Sequence, residues 1–128
     1  MLEARLPEVP TDFISEVRAS IVGTLPDGAD EDHVARALHM STRTLQRNLS
    51  SAGTTFRAVL DDVRSGLAES YLADSRVSIP EVAFLLGFSE QSSFHRAFQR
   101  WTGSPPGRWR QSRSASGSQP PSTQAGSR

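Results

Sequence analysis

The sequence predicts an all-α fold made of two helix-turn-helix lobes joined by a long linker helix. Apolar residues recur at three- and four-residue steps along most of the chain, and no segment shows the alternation typical of a strand. Capping residues and glycine- or proline-rich turns separate these periodic segments. The third observation is that a helix-turn-helix pattern occurs twice.

The first lobe is predicted over residues 11–53, after a proline-containing lead-in at residues 1–10. Thr11 or Asp12 can cap a helix that runs to about Leu25. One apolar stripe of that helix is expected to face the core. Its members are Phe13, Ile14, Val17, Ile21 and Val22.

Two shorter helices complete this lobe. Asp30 can cap the first of them, and Ser41 can cap a recognition helix over about residues 41–50, which Gly53 closes. Five apolar residues of the two helices are expected to point inward: Val34, Ala35, Leu38, Leu45 and Leu49.

The longest periodic segment is the linker, residues 54–74. Its apolar residues recur from Phe56 to Leu72, which predicts a rod of roughly 27 Å at about 1.5 Å per residue. A rod of this length, with the flanking helices, suits two recognition helices that enter DNA roughly 34 Å apart.

The second lobe is predicted over residues 78–111. Ser78 and Glu81 fit a capping box, and a second recognition helix follows at about residues 90–100. A short helix is expected near residues 107–111. The serine-rich segment 112–128 has the composition of a disordered tail.

Charge is unevenly distributed although 14 basic and 14 acidic residues give a net charge of zero. Residues 1–40 carry a net charge of −5, and residues 41–110 carry +3, with arginine as the basic residue throughout. Codon bias in a GC-rich genome explains the exclusive use of arginine most simply, but the guanidinium groups still suit phosphates and guanine edges.

Other classes of protein are poorly supported by the composition. The chain has no cysteine, its three histidines lack the spacing of metal ligands, and no nucleophile–base pair or phosphate-binding loop is present. We therefore predict no enzyme activity, no cofactor and no metal. The sequence shows neither a membrane span nor a signal peptide, which predicts a cytoplasmic, nucleoid-associated protein without a membrane partner.

The internal repeat pairs VARALHMSTRTLQRNL, residues 34–49, with VAFLLGFSEQSSFHRAF, residues 82–98. Each copy passes from an apolar helix through a turn and a serine into a helix with one polar side. In the second copy, Phe94, Phe98 and Trp101 would form the core side. The residues expected to face bases and phosphates are Gln91, Ser92, His95, Arg96 and Gln99.

These segments, with the linker FRAVLDDVRSGLAESYL and the C-terminal SIPEVAFLLGFSEQSSFHRAFQRWTGSPPGRWR, resemble the DNA-binding domain of the AraC/XylS family of bacterial transcription regulators. The resemblance covers about residues 12–110 and implies seven helices. It also implies sequence-specific binding of double-stranded DNA through two recognition helices in consecutive major grooves. RNA polymerase is an expected partner, which the chain would either contact as an activator or block as a repressor.

Site residues follow from the resemblance by position. The implied base contacts are Thr42, Arg43, Gln46 and Arg47 in the first lobe, and Gln91, Ser92, His95 and Arg96 in the second. The implied phosphate contacts are Ser41, Arg57, Ser89, Arg100 and Arg108. The serine-rich second helix is expected to discriminate bases less than the first.

The sequence departs from the family pattern in two respects. His39 stands where the family often has glycine, and a positive φ there would cost about 1 kcal/mol. Family members usually carry a preceding sensor domain, which nothing here resembles. The chain would then be a stand-alone regulator, a C-terminal fragment or an expressed domain, and the lead-in favours a fragment. A helical protein-interaction module with weak or lost DNA binding is the alternative function.

Overall fold

The computed structural model describes residues 12–117, with side chains described through residue 113. This range contains seven α-helices, one 3-10 turn at Leu25–Asp27 and no strand, which confirms the predicted all-α class. The helices are α1 Phe13–Thr24, α2 Glu31–Ala37, α3 Thr42–Ser51, α4 Phe56–Leu72, α5 Ile79–Leu85, α6 Gln91–Thr102 and α7 Pro106–Gly117. The predicted lead-in, residues 1–10, lies outside the described residues.

The described helices divide into two compact units, and the division falls between Arg64 and Ser65, within α4. The first unit contains α1, α2, α3 and the first half of α4. Its buried side chains are Phe13, Val17, Ile21, Leu25, Val34, Ala35, Leu45, Leu49, Val59, Leu60 and Val63. On the surface of this unit, the Arg18 guanidinium pairs with the Asp62 carboxylate.

The second unit contains the end of α4 with α5, α6 and α7. Its buried side chains are Ala68, Leu72, Val82, Ala83, Leu86, Phe94, Ala97, Phe98 and Pro106. The rings of Phe94 and Phe98 lie 5.8 Å apart, and the Phe98 ring meets Trp109 of α7 edge-on at 5.7 Å. This aromatic cluster fixes the buried side of α6.

The same C-terminal turn ends the first helix of each helix-turn-helix pair. After α2, the Met40 amide donates to the Ala35 carbonyl (2.9 Å) and the His39 amide to the Arg36 carbonyl. After α5, the corresponding amide of Phe88 donates to the carbonyl of Ala83 at 3.1 Å. These are Schellman motifs, which place one residue in the left-handed region.

That left-handed residue is His39 in the first unit, with φ 62°, and Gly87 in the second, with φ 84°. The positive φ expected from the sequence at His39 is therefore present. Because the Cβ of a non-glycine residue is crowded in this conformation, the first turn carries strain that the second avoids.

Several sequence-based expectations are wrong. Asp12 and Asp30 stand at the N-cap positions of α1 and α2, but neither side chain makes a capping hydrogen bond. Val22 was placed on the buried stripe of α1, but its side chain is 48% exposed, because a helix turns about 100° per residue and Ile21 already occupies the buried direction. The last helix does not stop at residue 111. α7 continues to Gly117, so residues 112–117 of the expected disordered tail are helical. Residues 118–128 lie outside the described range.

Candidate nucleic-acid interface

The first candidate recognition helix, α3, begins with a side-chain cap. The Ser41 hydroxyl accepts a hydrogen bond from the Thr44 amide at 3.1 Å, which satisfies one of the free amides of the first turn. Leu45 and Leu49 are buried. The opposite side of the helix carries Arg43, Gln46 and Arg47, all exposed. The packing therefore turns an arginine- and glutamine-bearing side of α3 toward solvent.

Thr42 occupies the first position of α3 but already has a partner. Its hydroxyl donates to the carboxylate of Asp32 in the first turn of α2. The hydrogen bond places a negative charge beside the beginning of the recognition helix. From the sequence, the acidic run around Asp32 is interpreted as a solvated capping region that could also repel DNA or meet another protein. The ten-residue separation from Thr42 gave no periodic signal that would have paired the two.

The second candidate recognition helix, α6, buries Phe94, Ala97 and Phe98. Its other side carries the four base contacts that the family resemblance implies. Gln91, Ser92 and Arg96 are exposed, and His95 is partly exposed. The same four side chains line one shallow depression on the surface of the second unit. The structure thus brings together the four base contacts that the resemblance implies for this lobe. Gln99, which was also expected to face the DNA, is exposed but does not line the depression.

Two side-chain hydrogen bonds order this polar side of α6. Gln91 Nε2 and His95 Nε2 are 3.2 Å apart, and the two residues are one helical turn apart. The Arg96 Nη2 group donates to Ser93 Oγ over a longer distance of 3.5 Å. The His95 ring also meets the buried Phe94 ring edge-on at 6.0 Å.

The two recognition helices carry matching residues when they are aligned on their N-caps, Ser41 and Glu90. Arg47 then corresponds to Arg96, and the buried Leu45 corresponds to Phe94. The remaining pairs are Thr42 with Gln91, Arg43 with Ser92, and Gln46 with His95. The turn before α6 is one residue longer than the turn before α3. The two copies of the repeat therefore align over their recognition helices but not over the whole segment.

The predicted phosphate contacts occupy varied surroundings. Arg57 is 73% exposed and its Nε lies 3.5 Å from the Asp61 carboxylate, one turn along α4. Arg57 also lines a groove of the first unit together with Gln46, Ser50 and Thr55. An exposed pair of this kind is worth little, so the guanidinium remains able to change partner.

The other phosphate candidates are all exposed. Ser89 lies in the turn before α6, Arg100 lies in its last turn, and Arg108 lies on α7. Ser41 is exposed as well, but its hydroxyl already caps α3. A phosphate at Ser41 would therefore meet the beginning of a helix whose first amides carry partial positive charge.

A residue that the sequence analysis missed, Arg110, closes the C-terminal end of α4 within the second unit. Its Nε donates to the Leu72 carbonyl at 2.9 Å, and Nη2 donates to the carbonyls of Val77 (2.5 Å) and Asp74 (3.3 Å). The next arginine, Arg113, lies over the Trp109 ring at 5.1 Å. Arg110 is thus structural, whereas Arg108 is free to face a ligand.

Membrane insertion and metal binding find no support in the described part of the chain. None of its helices combines the length and apolar character that a membrane span requires. No three of its histidine, aspartate and glutamate side chains are grouped as metal ligands.

Comparison with known proteins places this geometry in a family. A helix-turn-helix domain family matches residues 34–112. The ornithine utilization regulator of Pseudomonas aeruginosa is 43% identical over 104 residues, which are 81% of this chain and 31% of that protein. The urease operon transcriptional activator of Escherichia coli is 37% identical over 79 residues, which are 62% of this chain and 27% of that protein.

A solved structure of a DNA-binding domain is also similar to this chain. The DNA-binding domain of AdpA, a global transcriptional factor in complex with a target DNA, is 29% identical to this chain with a TM-score of 0.67. The similarity covers 80% of this chain and 93% of that one. The fold and the paired helices thus define a DNA-binding transcription-regulator domain.

The chain belongs to the AraC/XylS-type helix-turn-helix family, as its sequence motifs suggested. It spans about a fifth to a third of the length of the curated relatives that it matches.

Proposed function

We propose that the chain binds double-stranded DNA sequence-specifically, as the DNA-reading part of a transcription regulator, with α3 and α6 in consecutive major grooves. One observation carries the proposal. Each of the two helices follows a Schellman turn, packs an apolar side on its own core and exposes a polar side with an arginine at the matching position, Arg47 or Arg96. A helix held on one side and polar on the other is what a major groove accepts.

The exposed side chains suit the edges of base pairs. Arg43, Arg47 and Arg96 have the fork that binds the O6 and N7 atoms of guanine, and Gln46 and Gln91 have the amide that binds adenine. Each well-formed pair contributes about 1–3 kcal/mol of discrimination. The hydrogen bond to Asp32 would hold the Thr42 hydroxyl at the beginning of α3, where Thr42 would contact a base.

The phosphate contacts would fix the register of both helices on the duplex. Arg57, Arg100 and Arg108 are exposed guanidinium groups, and Ser41 and Ser89 stand at or near the beginnings of the recognition helices. Such contacts carry no sequence information by themselves, but they supply affinity that falls as salt rises.

Regulation would follow from binding near a promoter. The relatives include a protein named as a transcriptional activator, which favours activation. Activation would act through contact with RNA polymerase. A protein with this role is not an enzyme and works at the nucleoid in the cytoplasm.

A single-site comparison tests the proposal. The wild-type chain should bind its selected duplex more tightly than a random duplex. Arg43→Ala should weaken the selected complex more than the random one, because it removes a base contact. Arg108→Ala should weaken binding to both duplexes equally. It should also reduce the slope of log affinity against log salt concentration by about one, the amount expected for one lost phosphate contact. Equal losses on both duplexes for Arg43→Ala would refute the base-reading role.

The alternative is a helical protein-interaction module with weak or lost DNA binding. The zero net charge favours it, as does the Asp32 carboxylate beside α3, which would repel phosphate. DNA binding that is weak and insensitive to salt would support this alternative, because few counterions would then be released.

A further inference from the structure

The hydrogen bond between Gln91 and His95 constrains both side chains. It joins two nitrogen atoms, Gln91 Nε2 and His95 Nε2, at 3.2 Å. An amide nitrogen can only donate, so His95 Nε2 must accept through its lone pair. The histidine proton then lies on Nδ1. With the Gln91 amide oriented in this way, the contact requires the tautomer of His95 that carries its proton on Nδ1.

This arrangement leaves Gln91 with a reduced set of hydrogen-bonding groups. One of its two N–H groups is used by His95, so one N–H and the carbonyl oxygen Oε1 remain for a ligand. Adenine presents one acceptor, N7, beside one donor, the N6 amino group, and the remaining groups match that pair.

Guanine presents a different pattern to the same side chain. Its N7 and O6 atoms are both acceptors, so an amide must use both N–H groups to satisfy them. Gln91 can do this only by breaking its bond with His95, and its carbonyl oxygen would otherwise face O6. The bond to His95 therefore removes the guanine option and keeps the adenine option.

The position of His95 is itself well supported. The residue is partly buried, and its ring meets the Phe94 ring edge-on, with the two planes 89° apart. Gln91, by contrast, is exposed in the first turn of the helix. The more firmly held ring can thus orient the freer amide, which is the direction of action expected for a positioning residue.

We propose that His95 is a positioning residue that orients the Gln91 amide for adenine, so that the pair determines specificity in the second recognition helix. This inference rests on the proposed DNA-reading function and revises the sequence-based assignment of His95 as a base contact. Gln91 touches the base, and His95 acts through it.

The first test uses the chain without DNA. Nitrogen-15 NMR of the histidine rings should find His95 with its proton on Nδ1. Gln91→Ala should move the ring toward the tautomer with the proton on Nε2. His33, which is exposed on α2, is the internal control and should not change. A wild-type His95 protonated on Nε2 would overturn the proposal whether or not the chain binds DNA.

The second test measures base preference by selection from a random duplex library. The wild-type chain should prefer adenine at one position by roughly tenfold, and Gln91→Ala should abolish that preference. In His95→Ala, the preference for adenine over guanine at this position should fall to less than about threefold. The preferences at other positions should stay the same. His95→Gln, which restores an acceptor, should recover most of it. Ser70→Ala, at an exposed position of α4 outside the proposed interface, is the control and should leave it unchanged.

The outcomes separate the two proposals. Selection of no sequence by the wild-type chain would overturn the DNA-reading function and the inference with it. A specific operator whose adenine preference survives in His95→Ala would leave the DNA-reading function intact and overturn only the role of His95.

Discussion

Arg110 caps the C-terminal end of α4 by donating from Nε to the backbone carbonyl of Leu72, 38 residues earlier in the chain. The last carbonyls of a helix lack partners within the helix, and here a guanidinium from α7 supplies them. The Nη2 group extends the contact to the carbonyls of Asp74 and Val77. One side chain thus ties α7 to the segment that leads into α5.

Arg110→Ala should lower the free energy of unfolding by about 2–3 kcal/mol, because three carbonyls lose a charged donor in a partly buried place. Arg110→Lys should recover only part of the loss, since an ammonium lacks the planar fork. Urea unfolding measures both. Arg108→Ala, on the exposed side of the same helix, is the control and should change stability by less than about 0.5 kcal/mol. Equal effects at the two positions would contradict the capping role.

Substitutions at the matching positions of the two turns should change the free energy of unfolding in opposite directions. His39→Gly should raise the free energy of unfolding by about 0.5–1 kcal/mol, because glycine accepts the φ of 62° without strain. Gly87→Ala should lower it by about 1 kcal/mol, because φ there is 84°. Thermal melts of the two variants provide the comparison. Destabilisation by His39→Gly would show that the histidine side chain contributes more than its strained backbone costs.

The two serines before the recognition helices should also differ. Ser41→Ala should cost about 1 kcal/mol of stability, because its hydroxyl caps α3. Ser89→Ala should cost less than about 0.5 kcal/mol, because Glu90 and not Ser89 holds the capping position of α6. Chemical unfolding of both variants checks this. A loss at Ser89 as large as at Ser41 would mean that α6 depends on that hydroxyl.

An exposed ion pair predicts how stability depends on pH. Asp74 accepts hydrogen bonds from the side chain and backbone of Arg76, and these lower the pKa of Asp74 to about 2 from its ordinary value of 3.8. A lowered pKa stabilises the folded chain above the ordinary value, and this contribution is lost as the pH falls toward 2.

Asp74→Asn should therefore be less stable than the wild-type chain at neutral pH, and the difference should close between about pH 4 and pH 2. Urea midpoints across that range would measure it. A difference that stays constant down to pH 2 would contradict the assignment of the low pKa to Asp74.

The sequence predicted the fold well where local signals agreed with tertiary packing. Ser41 and the Ser78–Glu81 capping box were read from residue type and spacing, and both caps are formed. The predicted end of α7 was wrong because the serines and the glycine that follow residue 111 suggest disorder. The edge-on contact of the Trp109 ring with the Phe98 ring is a tertiary contact that holds the start of that helix, and no local pattern reveals it.

The sequence predicted which types of residue occupy the candidate site, but it did not predict the hydrogen bonds that these residues make within the protein. Arg43, Arg47 and Arg96 could be placed on the outer side of a helix from periodicity, and they are exposed. The bonds from Thr42 to Asp32 and from Arg110 to Leu72 join distant segments and need three-dimensional structure. The Gln91–His95 bond spans one turn, so its contact was readable, whereas its donor and acceptor roles were not. The DNA contacts themselves stay predictions.

Selection of bound sequences from a random duplex library, followed by footprinting of the preferred duplex, tests the central claim most directly. Two recognition helices in consecutive major grooves predict two protected patches about one helical turn apart, roughly 34 Å along the duplex. Arg47→Ala should weaken one patch and Arg96→Ala the other. A single patch, or no enrichment over random DNA, would contradict the account.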